Sequence, residues 1–343
     1  MKRVLYGVSP IGLGHATRSS AVGAELLSRG VQVVFASGGE AAEYLEGQGF
    51  ATERVVEGAV PAIAGGEMKR ASFWYVRYWW GYRKTKKRMG ALLDRSPPDL
   101  VVGDEEFAGV SLAMERGLRH ALVTDELELG FARSAAARAI ESRVSRWYTR
   151  LLSEASVVII PDFGEDSANR RHTGPIVRRV TKTRREVEEE FGLPKGGPMV
   201  LLSLSGSGAG LHLLDAAERG VKGAGLQGAF LAVSGNRGAR ARGERVFDLG
   251  VVEDNQNLVA AADIVISAAG KSTIDEAASA GTPIVAIPIR NHAEQERNAA
   301  ALGYVAGDED RLGELIRDRI GKRGSPRTYG GAEEASRILL SML

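Results

Sequence analysis

The sequence contains no cysteine, which excludes disulfide bridges and thiolate chemistry and fits a reducing compartment. It also lacks any apolar run near the roughly 18 residues that a membrane span needs. The opening MKRVLYGVSPIGLG is too short an apolar stretch, and too broken by Gly and Pro, to read as a secretion signal. Charge of one sign is missing as well: 45 Lys and Arg against 43 Asp and Glu leave a net charge of +2. No global electrostatic case for nucleic acid follows from that balance. The spacing of His, Asp and Glu offers no metal-ligand set, so no bound metal is expected. Aromatic residues are scarce, at 6%, and unevenly spread. These absences leave a cytoplasmic, soluble chain of 343 residues, long enough for two domains that each bury a core.

What is present is alternation. Apolar runs at residues 3–8, 31–36 and 51–56 are separated by helical patterns over 16–29 and 40–46. Further runs at 100–103, 120–123 and 157–160 alternate with helices over 107–116 and 134–154. This strand–helix rhythm predicts a doubly wound α/β domain. Residues 162–198 are polar and dotted with Gly and Pro, apart from a charged helix near 184–190. A second alternating series follows, with strands at 199–204, 229–233, 247–252, 264–266 and 284–287. The expected division is an N-terminal domain over 1–163, a linker over 164–198, a C-terminal domain over 199–327 and a final helix over 328–343 placed to cross back. The fold class is α/β, two Rossmann-like doubly wound domains facing a central cleft.

Ligands of parallel sheets sit at the carboxyl ends of the strands, so the loops there carry the candidate chemistry. Gly12 and Gly14 follow the first strand and permit a tight turn and close backbone approach. His15 comes next, either a general base near neutral pH or a helix-capping residue. Asp104, Glu105, Glu106, Asp125 and Glu126 follow two later strand ends, either on the acceptor side or as a polar rim. Gly270-Lys271-Ser272 ends like a phosphate loop but lacks its first Gly, because Val265 stands there. The alternative is a helix amino terminus, with Ser272 or Thr273 as its cap and both hydroxyls donating to a diphosphate. Glu276 then either accepts from ribose hydroxyls or, with Asp275, is a solvated first-turn acid.

Residues 68–90 break the rhythm. They hold Trp74, Trp79 and Trp80 among seven aromatics, eight basic residues including Lys84, Lys86 and Lys87, and no acid. The mixture suits an anionic membrane surface, where each basic side chain adds about 1 kcal/mol. It also suits stacking on single-stranded nucleic acid, or a helix that buries its aromatics.

Taken together, Gly270, Thr273, Glu276, Gly281, Pro283, Pro288, Gln295 and Asn298 resemble the donor-nucleotide motif of GT-B glycosyltransferases. The pattern is most similar to glycosyltransferase family 28, the MurG-type N-acetylglucosaminyltransferases. Gly12, Gly14 and His15 match that family's first Gly loop, TGPIVR (173–178) its interdomain motif and SGSGAG (205–210) its second Gly loop. VVEDNQNLVAAAD (251–263) matches the segment before the donor motif. The resemblance implies GT-B architecture, a UDP-sugar as co-substrate with no other cofactor, and metal-independent inverting transfer. It implies uracil against the Val252 backbone, ribose on Glu276, diphosphate near Ser207 and Arg178, sugar near Glu294 and Gln295, and His15 at the reacting centre. A lipid-linked or glycolipid acceptor, taken from the inner face of a membrane, would join that family reading to residues 68–90. Two departures stand out: Glu294 replaces a second Gln, and the first loop has one Gly fewer. IGLGH also resembles the UDP-sugar hydrolase of pseudaminic acid biosynthesis, which makes hydrolysis the alternative. A non-catalytic nucleotide-sugar or RNA-binding protein is the remaining reading.

Overall fold

A computed structural model describes residues 1–59, 62–69, 71–125, 135–204, 210–235 and 244–343. Two compact units emerge: residues 1–62, 70–177 and 329–343, and residues 63–69 and 178–328. Each is built on its own parallel sheet.

The sheet of the first unit runs in the order Thr52–Arg54, Gln32–Ser37, Arg3–Val8, Leu100–Asp104, His120–Val123, Val157–Ile160, Arg170–His172. The paired strands are parallel throughout. Side chains alternate across the first strand, and helices cover both faces. Val4, Tyr6 and Val8 pack with Val22 and Leu26 of the helix Gly14–Ser28 and with Ile338 and Leu339 of the C-terminal helix Gly331–Ser341. Leu5 points the other way, into Met89, Leu92 and Leu93 of the helix Ala71–Arg95. Strands buried on both faces explain the near-continuous apolar runs. Each of these fully buried side chains contributes roughly 1.5–3 kcal/mol.

The second unit repeats the plan with the order Val246–Asp248, Phe230–Ser234, Met199–Ser203, Ile264–Ser267, Ile284–Ala286, again all parallel. Val200 and Leu202 pack with Leu213, Ala217 and Ile316 on one face. Met199 and Leu201 pack with Val187, Leu258 and Ala277 on the other.

The expected boundaries need adjustment. Residues 164–198 are no free linker: the strand Arg170–His172 completes the first sheet, and the helix Arg184–Glu190 packs on the second unit. The strand expected over 247–252 stops at Asp248, shortly before Gly250 takes a left-handed backbone at φ 64°. Most unexpected, the hairpin Ala62–Ala64 and Glu67–Lys69 lies inside the N-terminal half of the chain, yet residues 63–69 group with the second unit.

In both sheets the strand order reverses beside the first strand. The reversal falls between Arg3–Val8 and Leu100–Asp104, where Val8 pairs with Asp104, and between Met199–Ser203 and Ile264–Ser267, where Ser203 pairs with Ser267. The crevice outside such a switch point is where open α/β sheets bind ligands.

Candidate functional site

At the first switch point, Gly12 turns the loop at φ 73° and the helix Gly14–Ser28 begins. The residue before it, Leu13, offers no capping side chain, and His15 lies inside the first turn and caps nothing. Arg18 and Ser19 follow one turn later on the same face. The neighbouring strand ends in Asp104, whose side chain is fully buried.

That carboxylate gathers the cluster. It accepts hydrogen bonds from Arg18 Nε at 2.8 Å, Arg18 Nη2 at 2.6 Å, Ser19 Oγ at 2.7 Å and, paired with it, His15 Nδ1 at 3.0 Å. Arg18 Nη1 reaches Asp125 Oδ2 at 3.0 Å. On the far side of the ring, His15 Nε2 lies 3.5 Å from Glu105 Oε2. Glu105 holds a left-handed backbone at φ 47°, a conformation non-glycine residues rarely adopt. His15 keeps about a fifth of its side chain exposed, at 19% against 0% for Asp104, so the imidazole is reachable and its anchor is not.

Burial opposes a charged imidazole and Arg18 repels it, but Glu105 and Asp104 outweigh both and hold His15 up at about 9. Burial likewise opposes a charged Asp104, yet Arg18 and His15 keep that carboxyl below its ordinary range. Asp104 on Nδ1 fixes the ring so that Nε2 is turned toward Glu105. Glu105 also lines a recess, together with Pro10, Tyr78, Tyr82, Glu106 and Phe107.

Asp104 and Asp125, expected on the acceptor side, thus sit behind His15 as part of its support. Arg18 and Ser19 were not legible as site residues. The available signal was an arginine three positions after the histidine, among otherwise small residues in the first half of the helix.

At the second switch point the helix Lys271–Ala280 starts after Gly270. The expected cap on Ser272 or Thr273 is not formed: Gly270 takes the extended N-cap conformation with no side-chain cap bond, so both hydroxyls fall within the first turn. That turn has no acidic residue, and its backbone N–H groups and dipole favour an anion. Ala269 precedes it at φ 59°, with its carbonyl accepting from Asn298 Nδ2 at 3.1 Å.

Glu276 lies a turn deeper and is buried, as is Asp275, so neither is a solvated first-turn acid. Glu276 Oε1 accepts from Arg178 Nε at 2.8 Å, and Arg178 Nη1 donates to the Glu253 carbonyl at 2.6 Å, next to Val252. Asp275 pairs with Lys271 at 2.7 Å. Gln295 Oε1 accepts from the Ile289 amide at 3.1 Å, and Glu294 Oε1 lies 3.5 Å from Asn298 Nδ2. Ser207 lies outside the described residues. Among the described residues no group of three His, Asp or Glu side chains is placed to hold a metal ion.

The aromatic–basic segment is mostly the helix Ala71–Arg95. Trp74 does not belong to an open face: its indole N–H donates to the Ala59 carbonyl and the ring packs on Tyr78. Lys86 is paired with Glu115. Val76, Trp79 and Trp80 are exposed, Trp80 by 64%, and Lys84 and Lys87 continue the exposed stripe. Trp79 also stacks on Tyr82. No helix among the described residues is long and apolar enough to cross a membrane.

Residues 239–310 match the family model described as the glycosyltransferase family 28 C-terminal domain. An uncharacterized glycosyltransferase of Methanosarcina acetivorans is 26% identical over 88% of this chain and 83% of its own length. A UDP-N-acetylglucosamine–N-acetylmuramyl-(pentapeptide) pyrophosphoryl-undecaprenol N-acetylglucosamine transferase of Nocardioides is 27% identical over 73% of this chain and 67% of its own. Among solved structures, the kitacinnamycin glycotransferase superposes with a TM-score of 0.67 at 16% identity, covering 99% of both chains. A Streptomyces glycosyltransferase complexed with thymidine diphosphate gives 0.63 at 16% identity, covering 100% of this chain and 96% of its own.

Proposed function

We propose that this chain, a glycosyltransferase of GT-B fold, moves a sugar from a UDP-sugar to an acceptor hydroxyl by metal-independent inverting transfer. The observation that carries the reading is the His15–Asp104 pair at the sheet's switch point, with about a fifth of the His15 side chain exposed, at 19%. In the neutral ring, Nε2 takes the acceptor's hydroxyl proton as that oxygen attacks the anomeric carbon. The bond from that carbon to the diphosphate breaks in the same displacement, which inverts the centre. Charge developing on the leaving diphosphate is met by the open first turn of Lys271–Ala280 and by Arg178. Glu276 reads the ribose, Val252 the base, and Glu294 with Gln295 the sugar.

Glu276→Ala tests the donor half. Loss of a charged hydrogen-bond acceptor at the ribose should weaken UDP binding by about tenfold or more in calorimetry. Wild-type-like UDP affinity in that variant would remove the assignment. Sugar released from the donor at full turnover with no acceptor present would instead mark the enzyme as a hydrolase.

The acceptor in this reading is lipid-linked or a glycolipid, met at the cytoplasmic face of a membrane. Its support is the stripe Val76, Trp79, Trp80, Lys84 and Lys87 on one helix, apolar and basic side chains together. Trp79→Ser with Trp80→Ser should cut partition onto vesicles containing anionic lipid about tenfold or more. Equal binding of wild type and double variant, or of wild type to neutral and anionic vesicles, would sink the idea.

A further inference from the structure

The hairpin at residues 62–69 is the one piece of the N-terminal half that grouped with the second unit. Gly65 and Gly66, both left-handed at φ 57° and 69°, make the two-residue turn between its strands. Ile63 packs against the second unit's core, and Gly66 lies so close to the His212 ring that a Cβ there would approach it at 2.6 Å.

Its tip meets a particular loop. The Gly66 carbonyl accepts from the Arg290 amide at 2.7 Å, and Glu67 Oε1 accepts from Asn291 Nδ2 at 2.9 Å. Asn291 stands at φ 65°, a left-handed backbone that Asn tolerates but does not prefer. Its own amide donates to Glu296 Oε1 at 2.8 Å, and the Ile289 amide donates to Gln295. The loop 289–292 is therefore clamped from two sides, by the helix Ala293–Ala301 behind it and by the hairpin in front. That helix carries Glu294 and Gln295.

We propose that the hairpin is part of the donor-sugar site, and that Glu67 is a positioning residue. By holding Asn291 it sets the loop 289–292, and through that loop the placement of Glu294 and Gln295 against the sugar. The proposal rests on the donor reading given above and adds to it a specificity element supplied from the other end of the chain.

The role predicts a split that a merely structural one would not produce. Glu67→Ala should raise KM for the UDP-sugar about tenfold while inhibition by UDP, which has no sugar to read, stays within twofold of wild type. Glu67→Gln keeps the carbonyl oxygen that Asn291 uses and should restore most of the loss. Asn291→Ala should reproduce the Glu67→Ala effect, and the double variant should be no worse than either single one, as expected of two ends of one contact. The proposal is overturned if Glu67→Ala weakens UDP and UDP-sugar equally, or leaves both unchanged. Failure of the donor reading has a different signature, UDP affinity indifferent to Glu276→Ala, so the two outcomes are separable. Should Glu67→Ala not fold, a Glu67→Gln variant with impaired UDP-sugar KM would count against the proposal by itself.

Discussion

Replacing His15 by Ala is expected to lower kcat about 10²–10⁴-fold, the usual worth of a positioned general base, with UDP affinity unchanged. The physical basis is the geometry at the end of the first strand. Asp104 holds Nδ1 at 3.0 Å, leaving Nε2 as the nitrogen that can take a proton. The same surroundings make the ring a poor base at neutral pH, because Glu105 and Asp104 hold it protonated up to about 9. Activity governed by the free enzyme, kcat/KM, should therefore rise with pH through a midpoint near 9 and level off above it. Glu105→Gln removes the negative charge that does most to favour the imidazolium. Its rising limb should move toward the ordinary histidine range near 6.5. A pH profile flat between 6 and 9, or a limb that Glu105→Gln leaves in place, would remove His15 from the base's role. So would a His15→Ala variant that turns over like wild type.

Asp104→Ala is expected to cost about 3–5 kcal/mol of folding stability, because it strands a buried guanidinium. Arg18 has only 6% of its side chain exposed, and Asp104 accepts from its Nε and Nη2. With that carboxylate gone, Arg18 keeps Asp125 at 3.0 Å but loses its bidentate partner, and Ser19 Oγ and His15 Nδ1 lose their acceptor. Asp104→Asn keeps the shape and part of the hydrogen bonding, so its loss should be smaller. Urea unfolding of the three proteins is the measurement, and an Asp104→Ala midpoint within error of wild type would contradict the account. Both variants should also impair turnover, since the ring is no longer held by a carboxylate.

How much of this the sequence discloses follows from which interactions are local. Runs such as Val4 to Val8 and Ile264 to Ile266 are apolar on both faces of a parallel strand, so the two sheets were legible. So was the position of polar residues at the strands' carboxyl ends, because each loop adjoins its own strand. Arg18 was not: helical periodicity marks apolar faces, and its partner Asp104 lies 86 positions away, joined only once the strands order themselves. Ser272 and Thr273 looked like caps because hydroxyl residues usually are, but Gly270 takes that conformation first. Trp74 and Lys86 looked surface-directed because composition cannot reveal that Ala59 and Glu115 wait opposite them. The hairpin was the least legible feature, since nothing in AIAGGEMK says which sheet its strands will lie against.

That hairpin and the terminal helix have a consequence for how the protein can be recombined. Neither unit is a continuous stretch of chain: the first takes back residues 329–343, and the second borrows 63–69. A chimera exchanging only residues 178–328 with a relative would inherit a foreign loop at 289–292 facing this chain's Glu67. Grafting donor preference from one enzyme to another should succeed more often when the small piece at 62–69 travels with the large one. In a lineage diversifying its sugars, those two distant stretches are the ones expected to change together.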